Sequence, residues 1–424
     1  MIVAPALDET DVRHGRARFV DALRIRVFAV LYVAEAISIA GDQLARVALS
    51  VLVFDRTGST SATALTYALT YVPAIVGGFS VGLVRGGRVP LKVTMVACEV
   101  ARALLFSAMA LHGMPLLALI VLLVVAVYLG PAFSAASVSY LSTQMDTSTF
   151  RAGTGLRMLT SQVAQVAGFA TGGVLVAVLE PAGALLVNAA TFVFSAVMIL
   201  FGVARRSTAA RQRASATAFD DHAASVASAP RFGGLWGDPR LRWLVALSSL
   251  AGFFVVPEAL AVPLADDLGR SAVTAGLLLA ALPLGGALGA AALIRWVPRG
   301  REPQIAAAMA TCCGLPLVVT VVQPPVVVTL GCWFLSGLLA AYQLETTTLV
   351  VKAIPEVLRT AVIARASAIL VGSQGVGLVL FGALAGWIGA AASVALAGAC
   401  GSVTAAALAT IRHRRSDLSS AGEA

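Results

Sequence analysis

Several carboxylates and arginines stand inside stretches of this chain that are otherwise apolar. Glu35, Asp42 and Arg46 fall within residues 27–54. At 100° per residue they lie within about 40° of one another on one helix face. Asp42 and Arg46 are one turn apart and can pair directly. Glu99 and Arg102, three residues apart, repeat the arrangement within 93–111. Glu258 sits between Pro257 and Pro263 in the stretch 241–264, and Glu345 follows Tyr342 and Gln343 within 326–350. A charge held in hydrocarbon costs about 2.5–3.5 kcal/mol on insertion scales, so each needs a partner or a water-filled cavity. Carboxylates lining such a cavity can take up and release protons, which makes Glu35, Asp42, Arg46, Glu258 and Glu345 candidates for coupling or for the cavity wall. The plainer reading of Glu35, Asp42 and Arg46 is a structural ion pair that locks two helices, and that of Glu258 an exposed carboxylate at the outer end. Glu99–Arg102 reads as a structural or gating pair.

Uncharged polar residues occur in the same stretches. Ser134, Ser137, Tyr140 and Gln144 follow one another at helical spacing, Gln162 and Gln165 fall in 153–179, and Gln374 in 361–386. Isolated hydroxyls and amides in membrane helices usually bond to a neighbouring helix. Their concentration in a few stretches marks them, with Tyr342 and Gln343, as candidates for a substrate cavity. Gly168, Gly172 and Gly173 allow a close helix crossing. The chain holds no nucleophile–base pair, no metal-ligand spacing and no phosphate-binding Gly-x4-Gly-Lys-Ser/Thr loop. Enzymatic chemistry, a metal and a bound cofactor are therefore not expected. Asp220-Asp221-His222 lies in a polar stretch without further ligands. The five cysteines, Cys98, Cys312, Cys313, Cys332 and Cys400, are all in apolar stretches and read as packing residues.

The elements that must carry these residues are long apolar helices. Of the 424 residues 59% are hydrophobic and only 12% charged, about half the charge of a soluble domain. Twelve stretches are long enough to span a bilayer: 27–54, 62–84, 93–111, 115–141, 153–179, 182–203, 241–264, 272–296, 303–322, 326–350, 361–386 and 389–411. Helices are expected because backbone polar groups in lipid must be satisfied within the segment. Almost all of the 30 Lys and Arg fall in the tails and the even-numbered loops, with Arg56 and Arg270 in the odd ones. By the positive-inside rule both termini are cytoplasmic, in a multi-pass inner-membrane protein. Residues 1–25 are polar and lack the pattern of a cleaved signal. The net charge of +9 is spread over loops and points to lipid headgroups rather than nucleic acid. The expected organisation is a tail (1–26), a six-helix half (27–203), a polar central loop (204–240), a second six-helix half (241–411) and a tail (412–424). The fold class is an all-α polytopic membrane protein, with the substrate path between the halves.

These features resemble the major facilitator superfamily over roughly 25–411, and within it the bacterial exporters of drugs, macrolides and siderophores. The residues that carry the likeness are Gly41-Asp42, then Thr57-Gly58-Ser59, Pro131-Ala132, and Gly168, Gly172 and Gly173 in an antiporter-type position where Phe169 replaces a proline. Glu99 and Arg102 stand where that branch often has Asp and Arg. The loop 2–3 signature keeps Gly82, Arg88 and Lys92 but lacks its usual aspartate. The resemblance implies the major facilitator fold and alternating access by a functional monomer. It also implies export of a small amphipathic molecule in exchange for protons, with import, or a non-transporting sensor or scaffold, as alternatives.

Overall fold

The computed structural model describes residues 19–71, 89–203, 237–269, 271–296, 301–354 and 356–421. After a short helix, Phe19–Arg24, the chain enters α1, Arg26–Thr57. It continues through α2 (Thr60–Leu69), α3 (Leu91–Met109) and α4 (Leu116–Ser142). The next helix, Thr147–Gly202, is two spans meeting at Glu180, called here α5 (147–179) and α6 (181–202). Then follow α7 (Pro239–Asp267), α8 (Ala272–Trp296), α9 (Glu302–Val322) and α10 (Val326–Ala353). The last two are α11 (Glu356–Ile388) and α12 (Ala390–Ala421).

Nine of the described helices are long and apolar enough to cross a membrane. The kinked helix counts once among these although it spans twice. Helix α2 reaches only to the edge of the described residues, and α3 carries Lys92, Glu99 and Arg102. The twelve expected spans are thus all represented. Gly82, Arg88, Arg270, most of the central loop and Asp220-Asp221-His222 lie outside the described residues.

Local chemistry sets the turns. Gly58 adopts φ 59° and its N–H bonds to Phe54 O at 2.8 Å, while Ser59 caps α2 by accepting from Ala62 N at 3.2 Å. The Thr-Gly-Ser stretch is therefore a helix stop followed by a helix start. Glu180 takes φ 60°, and Pro181 behind it begins α6. Helix α5 begins earlier than expected, at Thr147, because Asp146 caps it: Thr149 N donates to Oδ2 at 3.0 Å and Ser148 Oγ at 2.5 Å. Arg157 rides on this helix, about three turns in from its start. Lys92 at the start of α3 donates to Leu200 O at 2.7 Å and to Val203 O, closing the end of α6. Trp387, Val327 and Phe201 are among the most exposed side chains, at 89%, 79% and 77%, as expected of a lipid-facing belt.

Glycines set how closely the helices approach. A Cβ on Gly168 would come 2.3 Å from Ala40 O, and one on Gly172 3.0 Å from Leu44 Cα, both on α1. A Cβ on Gly173 would meet Ala272 O at 2.7 Å, and one on Gly276 would meet Phe169 O at 2.7 Å. So α5 offers one glycine face to α1 within its half and another to α8 of the other half. At α2 and α11, Gly382 faces Ala64, Gly386 faces Ser61, and Ser61 Oγ donates to Ala383 O at 3.4 Å. These contacts between the halves all lie toward the end of the bundle carrying the odd-numbered loops. Ile294 lies about five turns beyond Gly276 on the same face of α8, yet is 76% exposed. Among the described residues, these contacts join the halves at the odd-loop end, while Ile294 at the other end of α8 meets nothing that covers it.

Gly276→Val should lower thermal stability by about 1–3 kcal/mol through overpacking at the α5–α8 crossing. Thermal unfolding of the purified protein checks this. Hydrogen bonds hold the Asp146 carboxyl well below the usual carboxylate range. A depressed value contributes stability at pH above the ordinary value of about 4, lost as pH falls through the folded one. Asp146→Ala should therefore melt below wild type at neutral pH, with the difference vanishing in strong acid.

Candidate functional site

Helix α1 distributes its charged residues among three other helices. Glu35 is taken by Arg157 of α5, with Nε 2.5 Å from Oε2 and Nη2 2.8 Å from Oε1. This two-pronged geometry is the strong form of the interaction. One turn further, Ser38 Oγ donates to Glu99 Oε2 of α3 at 3.0 Å. Asp42 is held by Arg102 of α3, whose Nη2 is 2.6 and 2.7 Å from the two carboxylate oxygens. Arg102 Nη1 is 3.7 Å from Glu99 Oε1, and its guanidinium lies 4.1 Å from the centre of the Phe192 ring. Glu99 and Arg102 are 0% and 5% exposed.

Asp42 and Arg46 do not form the expected pair. Asp42 turns to Arg102, which brings a guanidinium squarely onto it from the facing helix. Arg46 turns the other way, to the end of α2 and the turn after it, where its guanidinium is 5.6 Å from the ring centres of both Tyr67 and Tyr71. Those two hydroxyls donate to one oxygen of Glu258 on α7, at 2.7 Å and 3.2 Å. Glu258, half-buried and within the field of Arg46, is thus gripped by the opposite half of the protein. Val256-Pro257 restarts α7 after the break at Val255, with Pro257 in its first turn, and this restart places Glu258 at the seam.

A cavity of about 110 Å³ opens beside these groups, inside the amino-terminal half. Asp42, Gln43, Arg46, Thr70 and Arg102 form its polar wall, and Phe106, Leu123 and Val127 part of the apolar one. Gln43 Oε1 and Arg102 Nε, both buried, have no hydrogen-bond partner among the described residues.

The remaining sequence candidates scatter. Tyr342 is fully buried, donates to Leu247 O at 3.3 Å and packs edge-on against Phe254, which makes it a core residue. Glu345 lies half-buried on α10 in the other half, with no ion pair among the described residues. Ser134 is exposed, whereas Ser137 and Tyr140 are buried. Gln165 Nε2 donates to Gln162 Oε1 at 3.2 Å, and Gln343 and Gln374 are half-buried. Sequence reasoning missed Tyr67, Tyr71 and Arg157 as partners. The signal for the tyrosines was present, since they stand four apart, at the end of α2 and in the turn that follows it, in an aromatic-poor chain.

Removing Arg102 would leave Asp42 and Glu99 facing one another without a counter-charge. Arg102→Ala should cost about 3–5 kcal/mol of stability, the range for breaking one side of a buried pair. Arg102→Ala combined with Asp42→Asn and Glu99→Gln should recover much of it, as read by thermal unfolding.

Comparison with known proteins agrees with the helix arrangement. No curated protein sequence matches the chain significantly. Among solved structures, a bacterial homologue of the human lysosomal transporter Spinster, in an inward-facing and occupied conformation, is similar with a TM-score of 0.72 at 12% identity. The match covers 92% of this chain and 97% of that one. A D-xylose-proton symporter gives 0.68 at 14% identity, covering 90% and 96%. The nucleoside transporter NupG gives 0.65 at 14%, covering 90% and 98%. At such identities these likenesses establish the fold. The family model of the Major Facilitator Superfamily matches residues 31–344, most of the chain, and the protein belongs to that superfamily of membrane transporters.

Proposed function

We propose that this protein is a proton-coupled secondary transporter that exports a small amphipathic molecule by alternating access. It sits in the inner membrane with both termini in the cytoplasm. The observation that carries the reading is Glu258, a carboxylate of one half held by two tyrosine hydroxyls and a nearby arginine of the other. Such a group ties proton binding to the separation of the halves. Charged, Glu258 accepts from Tyr67 and Tyr71 and faces Arg46, so the halves hold together at the odd-loop end. Protonated, it loses its attraction to Arg46 and part of its acceptor strength, and the seal weakens. The ionisable groups facing it are Tyr67, Tyr71 and Arg46.

On this reading the odd-loop end faces outward, and the joined odd-loop end with Ile294 open at the other corresponds to an inward-facing state. Asp42 and Glu35 serve as further protonatable groups, each already matched with an arginine that can hold the charge when the proton leaves. The antiporter-like glycines let α5 pack tightly on α1 and α8 at once. The dispersed Gln162, Gln343 and Gln374 are suited to line a wide path for an amphipathic molecule, with no catalytic role for any of them. Energy comes from the proton gradient, without a cofactor.

Glu258→Gln, which keeps the shape and removes the titrating proton, should reduce gradient-driven transport in proteoliposomes more than tenfold. Exchange down a substrate gradient should persist. Asp42→Asn or an uncoupler should impair accumulation similarly. Undiminished gradient-driven transport in all three cases would refute proton coupling.

A further inference from the structure

Tyr67 and Tyr71 form two walls of a box whose third side is Glu258. Their ring centres are 6.3 Å apart and their planes are tilted by 36°. A guanidinium sits equidistant from both, 5.6 Å from each centre. Two electron-rich faces converging on one point, with a carboxylate beside them, are the features that recognise an organic cation. In this conformation the cation is the protein's own Arg46.

Arg46 has somewhere else to go. It also lines the cavity of about 110 Å³, and Asp42 lines the same cavity one turn back along α1. A swing of the side chain through that space exchanges the aromatic box for the carboxylate. Arg102 then shares Asp42 or shifts toward Glu99, whose Oε1 is 3.7 Å away and has no hydrogen-bond partner among the described residues.

We propose that the box of Tyr67, Tyr71 and Glu258 is the recognition site for a monovalent organic cation, and that Arg46 is its internal competitor, displaced toward Asp42 when the substrate enters. This rests on the transporter reading above and names its substrate class. Because the two tyrosines and Glu258 belong to opposite halves, a cation bound among them bridges the seam, as Arg46 does when the site is empty of substrate.

The test is equilibrium binding at constant pH with no gradient, by calorimetry on the full chain in lipid nanodiscs. The probes are phenyltrimethylammonium and its uncharged isostere tert-butylbenzene. Phenyltrimethylammonium should bind wild type, and Arg46→Gln should tighten it about tenfold because the competitor is gone. Arg46→Lys, which keeps a competing cation, should remain near wild type. Tyr71→Phe should retain binding and Tyr71→Leu should lose it about fivefold or more, since only the ring matters. Equal effects of Phe and Leu, weaker binding by Arg46→Gln, or equal affinity for tert-butylbenzene would overturn the proposal. If cation binding fails while gradient-driven transport still depends on Glu258, the substrate class falls and proton coupling stands. The reverse pattern supports the box while removing the coupling role.

Discussion

The expense of placing charge in a bilayer organises this molecule. Helix α1 carries two carboxylates and an arginine through the apolar region, and each is answered from a different helix. Glu35 binds α1 to α5, Asp42 binds it to α3, and Arg46 brings it to α2 and, through Glu258, to α7. The hydrophobic effect does little to choose between helix neighbours in lipid. Pairing of scattered charges, together with glycine-lined crossings, supplies the specificity instead. Residues that look like liabilities on one helix become the register marks of the bundle.

The two kinds of contact divide the work. Glu35–Arg157 and Asp42–Arg102 lie within one half and join its helices to one another. The grip of Tyr67 and Tyr71 on Glu258 crosses between halves and must be broken for the odd-loop end to part. Of the carboxylate contacts described, this second kind joins residues of opposite halves. Arg46 stands between the two sets. It shares a cavity with Asp42 and a ring pair with α2, so its side chain links the fixed pairs to the movable one.

Much of this was legible in the sequence. Apolar stretches of membrane length and the loop distribution of arginine sufficed for twelve helices in two halves, because lipid leaves the backbone few alternatives. The charges that matter were visible too, since a carboxylate in such a stretch is conspicuous. Their partners were not. Spacing on one helix favoured Asp42–Arg46 and Glu99–Arg102; the second pair is present at 3.7 Å, but packing gave Asp42 to Arg102 as well and Arg46 to two tyrosines. Periodicity reports which face a residue occupies but not which helix that face will meet. The start of α5 was misplaced for a simpler reason: the Asp146 cap begins the helix before its apolar stretch does. Tyr342 fell the other way, a polar residue whose hydroxyl is absorbed by a backbone carbonyl in the core.

The glycine crossing of α5 and α8 has a mechanical side. With Gly173 and Gly276 in near backbone contact, the two helices have no side chains there to interlock, and one can roll on the other. From Gly276 to Ile294 the axis runs about 27 Å at 1.5 Å per residue, so a roll of about 10° moves the far end by roughly 5 Å. The crossing is a short fulcrum under a long lever. Small adjustments at the sealed end, of the size set by losing a hydrogen bond or two, are thereby converted into an aperture of molecular dimensions at the other.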